Sequence, residues 1–229
     1  MNKRRIAFTL AEVLITLGII GVVAAMTLPA LIQKNNNRVV ETRLAKFYTT
    51  FNQAIQLAEV EFGDKKDWYL DTGGVDLDDE GKPIEGTAKI DIWFQKYFSK
   101  FIVIKKQVNT SGTIRYYLSD GSAFQFGNDD MVNSSRGVVF FVGNPEKCPQ
   151  TGYGQCKFYF LYMPVNAQDP VWKYHYNRGL EPFKYSWDGR TETAVRNCKN
   201  GTYDGKWCTL VIQLNGWKIP DDYPYKVSY

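Results

Sequence analysis

The chain has 229 residues, 44% of them hydrophobic and 23% charged, with four Cys, one His and a formal net charge of +4. That is room for one ordinary domain with an extra element, too little for two large ones, and too apolar and aromatic for a disordered chain. Three of the 28 basic residues, Lys3, Arg4 and Arg5, sit in the first seven positions, and the 25 that remain against 24 acids create no global field of the kind that draws in nucleic acid.

Phe8 to Ile32 is an apolar run whose only charge is Glu12. As a helix rising about 1.5 Å per residue it is roughly 37 Å long, enough to cross a bilayer core of about 30 Å. The basic residues before it predict a cytoplasmic N-terminus, in spite of Lys34, Arg38 and Arg43 on the other side. Val40, Leu44, Phe47, Phe51, Ile55, Ala58 and Phe62 then recur at spacings of three and four, one face of a helix. Gly63 stands where a helix commonly stops. The expectation is one helix from Phe8 to Phe62, about 80 Å long by the same rise, kinked at Pro29. Glu12 inside a membrane stretch costs roughly 2.5–3.5 kcal/mol unpaired, so it needs a partner. Gly18, Gly21, Ala24 and Ala25 present small surfaces for close helix packing.

With its short basic leader Met1–Ala7 followed by Phe8-Thr9-Leu10-Ala11-Glu12-Val13-Leu14, the chain resembles the class III prepilin family, the type IV pilins and the pseudopilins of type II secretion. The resemblance implies a pilin-like α+β fold. It also implies cleavage between Ala7 and Phe8 by a prepilin peptidase, which N-methylates Phe8; the family usually has Gly where this chain has Ala7. Glu12 matches the acidic fifth residue after the cut, taken in the family to neutralise the N-terminal amine of a neighbouring subunit, and Pro29 matches the helix-kinking proline. Gly18, Gly21 and Pro29 complete the expected assembly surface. The implied partners are copies of the chain, other pilins or pseudopilins, the peptidase, the assembly platform and its ATPase, and the bacterial inner membrane. The implied location is a single-pass inner-membrane protein that moves into an extracytoplasmic filament.

The domain expectation is therefore a leader at 1–7, a transmembrane or fibre-core helix at 8–32, its amphipathic continuation at 33–62, and an extracytoplasmic globular domain at 63–229. Two other readings stay open. A secretory signal peptide cut after Ala25 would place Glu12 in its apolar core and leave Pro29 without a use. A membrane-tethered module binding sugar, DNA or calcium would not polymerise.

In the globular part, Asp71 to Gly86 is rich in glycine and acids and reads as a loop. Ile90 to Phe101 reads as a short amphipathic helix. Thr113–Leu118 and Ala123–Phe126 flank Asp120-Gly121, a hairpin signal. Val138–Val142, Phe158–Met163 and Thr209–Leu214 read as further strands, giving a long helix followed by a mostly antiparallel sheet, α+β. Outside the cytoplasm disulfides persist, and among three pairings Cys148–Cys156 with Cys198–Cys208 is favoured because each brackets a turn-rich loop. Seven and nine intervening residues do not fit zinc.

Some relatives bind calcium in their C-terminal loops, which makes Asp76, Asp78 and Asp79 candidate calcium ligands by resemblance. The run lacks the closing glutamate of an EF-hand and by itself reads as a solvated acidic loop. His175, among Trp172, Tyr174 and Tyr176, has no nucleophile motif around it and reads as part of an exposed or half-buried strand. No enzymatic activity and no cofactor is expected. The tail Asn215–Pro224 reads as an ordered strap on the domain, held near Cys208.

Overall fold

Thr9 opens the long helix α1 (Leu10–Phe62) with a reciprocal cap, its hydroxyl accepting from the Glu12 N–H while the Glu12 carboxylate accepts from Thr9 N at 2.9 Å. The computed structural model describes residues 9–68, 74–110, 113–127, 136–164 and 169–229. Ala7 and Phe8, with the rest of the leader, lie outside these residues, as does Asp71 at the start of the acidic loop. The helix continues through Pro29 and ends at Gly63, whose φ of 82° takes it out of the helical region while its N–H still bonds Glu59 O.

Six strands form one antiparallel sheet in chain order: β1 (Lys106–Thr110), β2 (Thr113–Tyr117), β3 (Ala123–Phe126), β4 (Arg136–Phe141), β5 (Lys157–Tyr162) and β6 (Leu180–Pro182). In register, Phe124 faces Phe140 and Phe140 faces Phe158, so one row of rings runs across three strands. That row packs on α1, where Val40, Leu44, Phe47, Phe51, Ala54, Ile55 and Ala58 form the buried stripe, and Phe47 stacks on Phe140 at 4.2 Å. Helix α2 (Lys89–Tyr97) closes the top of this core with Trp93, Phe94 and Tyr97, and Trp93 donates its indole N–H to Trp68 O at 3.1 Å.

The opposite face of the sheet, carrying Ala123, Val139, Phe141, Tyr159 and Leu161, is covered by α3 (Thr191–Lys199) and α4 (Cys208–Leu214). Covering both faces is why β4 and β5 are buried along their whole length and read as apolar runs from Val138 and from Phe158 onward.

Three expectations change. Thr209–Leu214 is the helix α4, not a strand, with Cys208 to Ile212 all buried. A short apolar run buried on all sides has no periodicity to separate the two. Cys208, bonded to Cys198 on α3, starts it as half of a helical pair. His175 lies in a turn and is fully buried, with no strand around it. Helix α2 ends at Tyr97 and the chain turns through Phe101 instead of continuing. The polar strand β1, the three-residue β6 and the weakly apolar α3 had no legible pattern.

The tail is a strap that packs beside the Cys198–Cys208 disulfide, where Tyr225 donates its hydroxyl to Cys198 O at 3.4 Å, and further groups hold it. Glu41 accepts from Lys218 Nζ and Ile219 N, both at 3.0 Å, and Trp217 packs on Tyr48 at 4.8 Å. Tyr223 donates its hydroxyl to Gly154 O at 2.8 Å. Further on, Ser228 N bonds Gln155 O and the main chain of Tyr229 crosses Gly143 so closely that a Cβ there would meet it at 2.4 Å.

Candidate assembly site

Helix α1 has two halves with opposite surroundings. From Val40 onward its apolar stripe is buried in the domain, whereas the thirteen large apolar side chains from Leu10 to Ile32 are all exposed. This is one helix long and apolar enough to cross a membrane, and none of the described residues covers its apolar half. At about 25 cal/mol per Å² of apolar surface, leaving such a stretch in water is strongly unfavourable.

Within that half, Glu12 is held by its own chain: Thr9 Oγ1 donates to Glu12 Oε2 at 2.8 Å beside the backbone bond already described. The carboxylate thus sits at the N-terminal end of the helix, where the dipole favours negative charge. Gly18 and Gly21 have open space where a Cβ would be, so the helix surface there is free for a close neighbour. Pro29 lies further along the same exposed stretch.

Where the apolar run stops, a polar belt takes over. Gln33 and Asn36 donate their side-chain amides to Val227 O at 3.3 and 3.5 Å, tying the chain's last residues to the helix. About two turns after Asn36, Arg43 donates to the carbonyls of Val142 and Asp120 and lies over the Tyr229 ring at 5.0 Å. Lys46 pairs with Asp120 at 3.2 Å. Burial works to raise the Asp120 carboxyl, but the bonds from Ser122 and then Lys46 hold it below the usual range. A cavity of about 200 Å³ opens beside this group, lined by Phe47, Phe51, Ile102, Val103 and Leu118. The sequence marked Arg43 only as a charge following the membrane stretch; its long-range carbonyl partners had no local signal.

Asn52 is a second residue without a sequence signal. Its amide donates to Leu180 O at 3.1 Å and its oxygen accepts from Leu180 N at 2.9 Å, so α1 satisfies the outer edge of β6. Beside it lies a buried polar group. Lys184 donates to Glu181 Oε2 at 2.5 Å, Tyr48 reaches the other oxygen, and Lys184 N bonds His175 Nε2 at 3.2 Å. Burial, and then the Lys184 charge, push the His175 pKa down to about 3, so the only imidazole is neutral and has no access to the surface.

The disulfides are Cys148–Cys156 and Cys198–Cys208, with Cα separations of 5.7 and 4.7 Å. Asp76, Asp78 and Asp79 lie on an exposed turn. There Asp78 Oδ1 accepts from Glu80 N at 3.0 Å and Lys82 N at 2.7 Å, holding its own backbone. Among the described residues no three His, Cys, Asp or Glu side chains converge as a metal site.

Two family models match. Residues 2–28 match the prokaryotic N-terminal methylation motif, and residues 30–227 match a model described as a family of unknown function (DUF6613). No curated protein and no solved structure matches the chain.

Proposed function

The chain belongs to the family of unknown function (DUF6613) and is a class III prepilin-type protein, and on that premise we propose that it is a structural subunit of a type IV pilus-like or type II secretion pseudopilus filament. The observation that carries this is the division of α1: one half buried in its own domain, the other apolar and uncovered down to Leu10. A plain anchor has no need of Gly18, Gly21 and a carboxylate at Glu12 in the lipid-facing stretch; a helix that stacks on copies of itself uses all three.

In this reading the precursor sits in the inner membrane with its leader in the cytoplasm and residues 63–229 outside. The prepilin peptidase cuts between Ala7 and Phe8 and methylates the new amine. The ATPase-driven platform then moves the subunit into a helical stack. Glu12 exchanges its bonds to Thr9 for the amine of a neighbour, an exchange of one satisfied carboxylate for another, which removes the cost of burying either charge alone. The proline and the two glycines shape the core helices, and the two disulfides keep the outer domain intact once it has left the cell.

Mass spectrometry of the N-terminal peptide from the native host tests this directly. A chain beginning at N-methylated Phe8 is expected; one beginning at Met26, or an uncut one, overturns the filament reading. Glu12→Ala is expected to leave cleavage intact and abolish incorporation into fibres, as read by shearing and sedimentation. Normal fibres from that variant would remove Glu12 from the mechanism.

A further inference from the structure

Among the described residues three lysines are buried, and two of them have a carboxylate: Lys65 with Glu59 at 2.9 Å and Lys184 with Glu181 at 2.5 Å. Lys157, the first residue of β5, is only 8% exposed and has none within ion-pair distance among the described residues. Its ammonium lies over the Tyr153 ring at 4.4 Å, on the sheet face away from α1. Lys206, just before α4, brings a second ammonium to the same place, 4.5 Å from the Tyr159 ring centre and 5.7 Å from that of Tyr153. Burial, and then the Lys206 charge, pull the Lys157 ammonium below the usual lysine range, with Asp204 opposing. Among the described residues neither cation has an ion pair, and Asp204 offsets them only in part, so holding both at a partly dry site is unfavourable until a further anion joins them.

The platform under these lysines is rigid. Tyr153 belongs to the loop closed by Cys148–Cys156, and a Cβ on its neighbour Gly154 would meet Cys208 Cβ at 2.9 Å. Lys206 follows Tyr203 and Asp204, both in the left-handed region at φ 52° and 57°, and a Cβ on Gly205 would lie 3.0 Å from Tyr153 O. Both supporting loops are thus pressed together, and each is closed by its own disulfide.

A complementary surface lies elsewhere on the same chain. The turn from Asp76 to Glu85 carries five carboxylates against one base, Lys82. It is closed by a bridge between Leu77 and Pro83, and both Leu77 (57%) and Ile84 (42%) are exposed beside the acids. None of these carboxylates pairs with Lys157 or Lys206 of its own chain; Glu80 pairs with Lys82. Exposed Tyr203 borders the lysine site and offers the apolar contact that Leu77 and Ile84 lack.

We propose that Lys157 and Lys206, set over Tyr153 and Tyr159, form a carboxylate-binding site whose occupant is the acidic turn Asp76–Glu85 of a second copy of this chain. Site and occupant lie on different surfaces, so the contact is heterologous and does not close on itself; repeated, it extends a helical array. The inference rests on the filament reading and assigns to it a lateral contact between outer domains, separate from the helix core.

Zero-length carbodiimide coupling of the full-length protein in sheared native fibres tests it, because the reagent joins an ammonium only to a carboxylate in contact. The expected result is a covalent dimer whose peptide map links residues 76–85 to Lys206 or Lys157. Lys206→Glu should lose most of that dimer, and combining it with Asp79→Lys should restore it; Lys206 is only half-buried, so its change spares the core. Fibres without this linkage, or the linkage found only within monomers, overturn the lateral contact and leave the filament reading standing. Finding no fibres, with the chain present as an uncut monomer, overturns both.

Discussion

Asn52 shows how much a single side chain can hold. Its amide closes both backbone groups of Leu180, the donor and the acceptor at the outer edge of β6, and Gly179 with φ 93° lets it in, since a Cβ there would lie 2.3 Å from Asn52 Oδ1. Asn52→Ala leaves two edge groups unsatisfied, and the expected cost is about 2–4 kcal/mol, read from denaturant melts of the full chain in detergent. Gly179→Ala should destabilise as well, by forcing a left-handed Ala and displacing that amide. His175 makes a pH prediction with a definite sign. Its folded pKa of about 3 lies below the ordinary 6.5, so below that value the unfolded chain takes up a proton that the folded chain refuses. Stability from this group is therefore complete above pH 6.5 and declines as pH falls toward 3, by up to about 1.4 kcal/mol per unit. His175→Asn should flatten the pH dependence of melting between 6.5 and 4.5, whatever it does to stability at neutral pH; an unchanged slope would refute the assignment.

At the scale of elements, α1 does two jobs because its apolar pattern changes partway along. The stripe from Val40 to Ala58 meets the sheet through aromatic rings, and Phe47 alone lies within 5.6 Å of the ring centres of Phe51, Phe124, Phe140 and Phe160. Phe47→Ala should cost about 3–5 kcal/mol and loosen the domain from the helix, seen as faster proteolysis after residue 62. Leu14→Ala, on the uncovered half, should leave domain melting unchanged. The helical pattern of α1 was legible because it repeats over many turns. The pattern of α4 was not, because its buried residues form one short run whose helical state depends on α3 and the disulfide to Cys198.

For the whole molecule, the two disulfides close loops of 8 and 10 residues on the sheet face away from α1. Replacing Cys198 and Cys208 together by serine should lower stability by about 2–4 kcal/mol and loosen α4 first, which hydrogen exchange at Leu210–Ile212 would show. The C-terminal strap adds a second closure, joining α1 at Glu41 to the first disulfide loop at Gly154. Helix, sheet and strap thus form one body from Val40 onward, from which the apolar half of α1 projects.

The membrane-length helix, its amphipathic continuation, the methylation motif and the strands from Thr113 to Met163 were legible in the residues alone. Those features rest on charge, apolar length and local periodicity, which act between neighbours in the chain. Packing in the folded chain is what makes Thr209–Leu214 helical, buries His175 in its neutral form, brings Arg43 and Asn52 to distant backbone, and sets Lys157 and Lys206 side by side. The deciding partner lies nine or ten residues away for His175 and α4, and from 49 to 128 residues away for the lysine pair, Arg43 and Asn52. Burial and pairing across such distances leave no spacing to read until the sheet has formed.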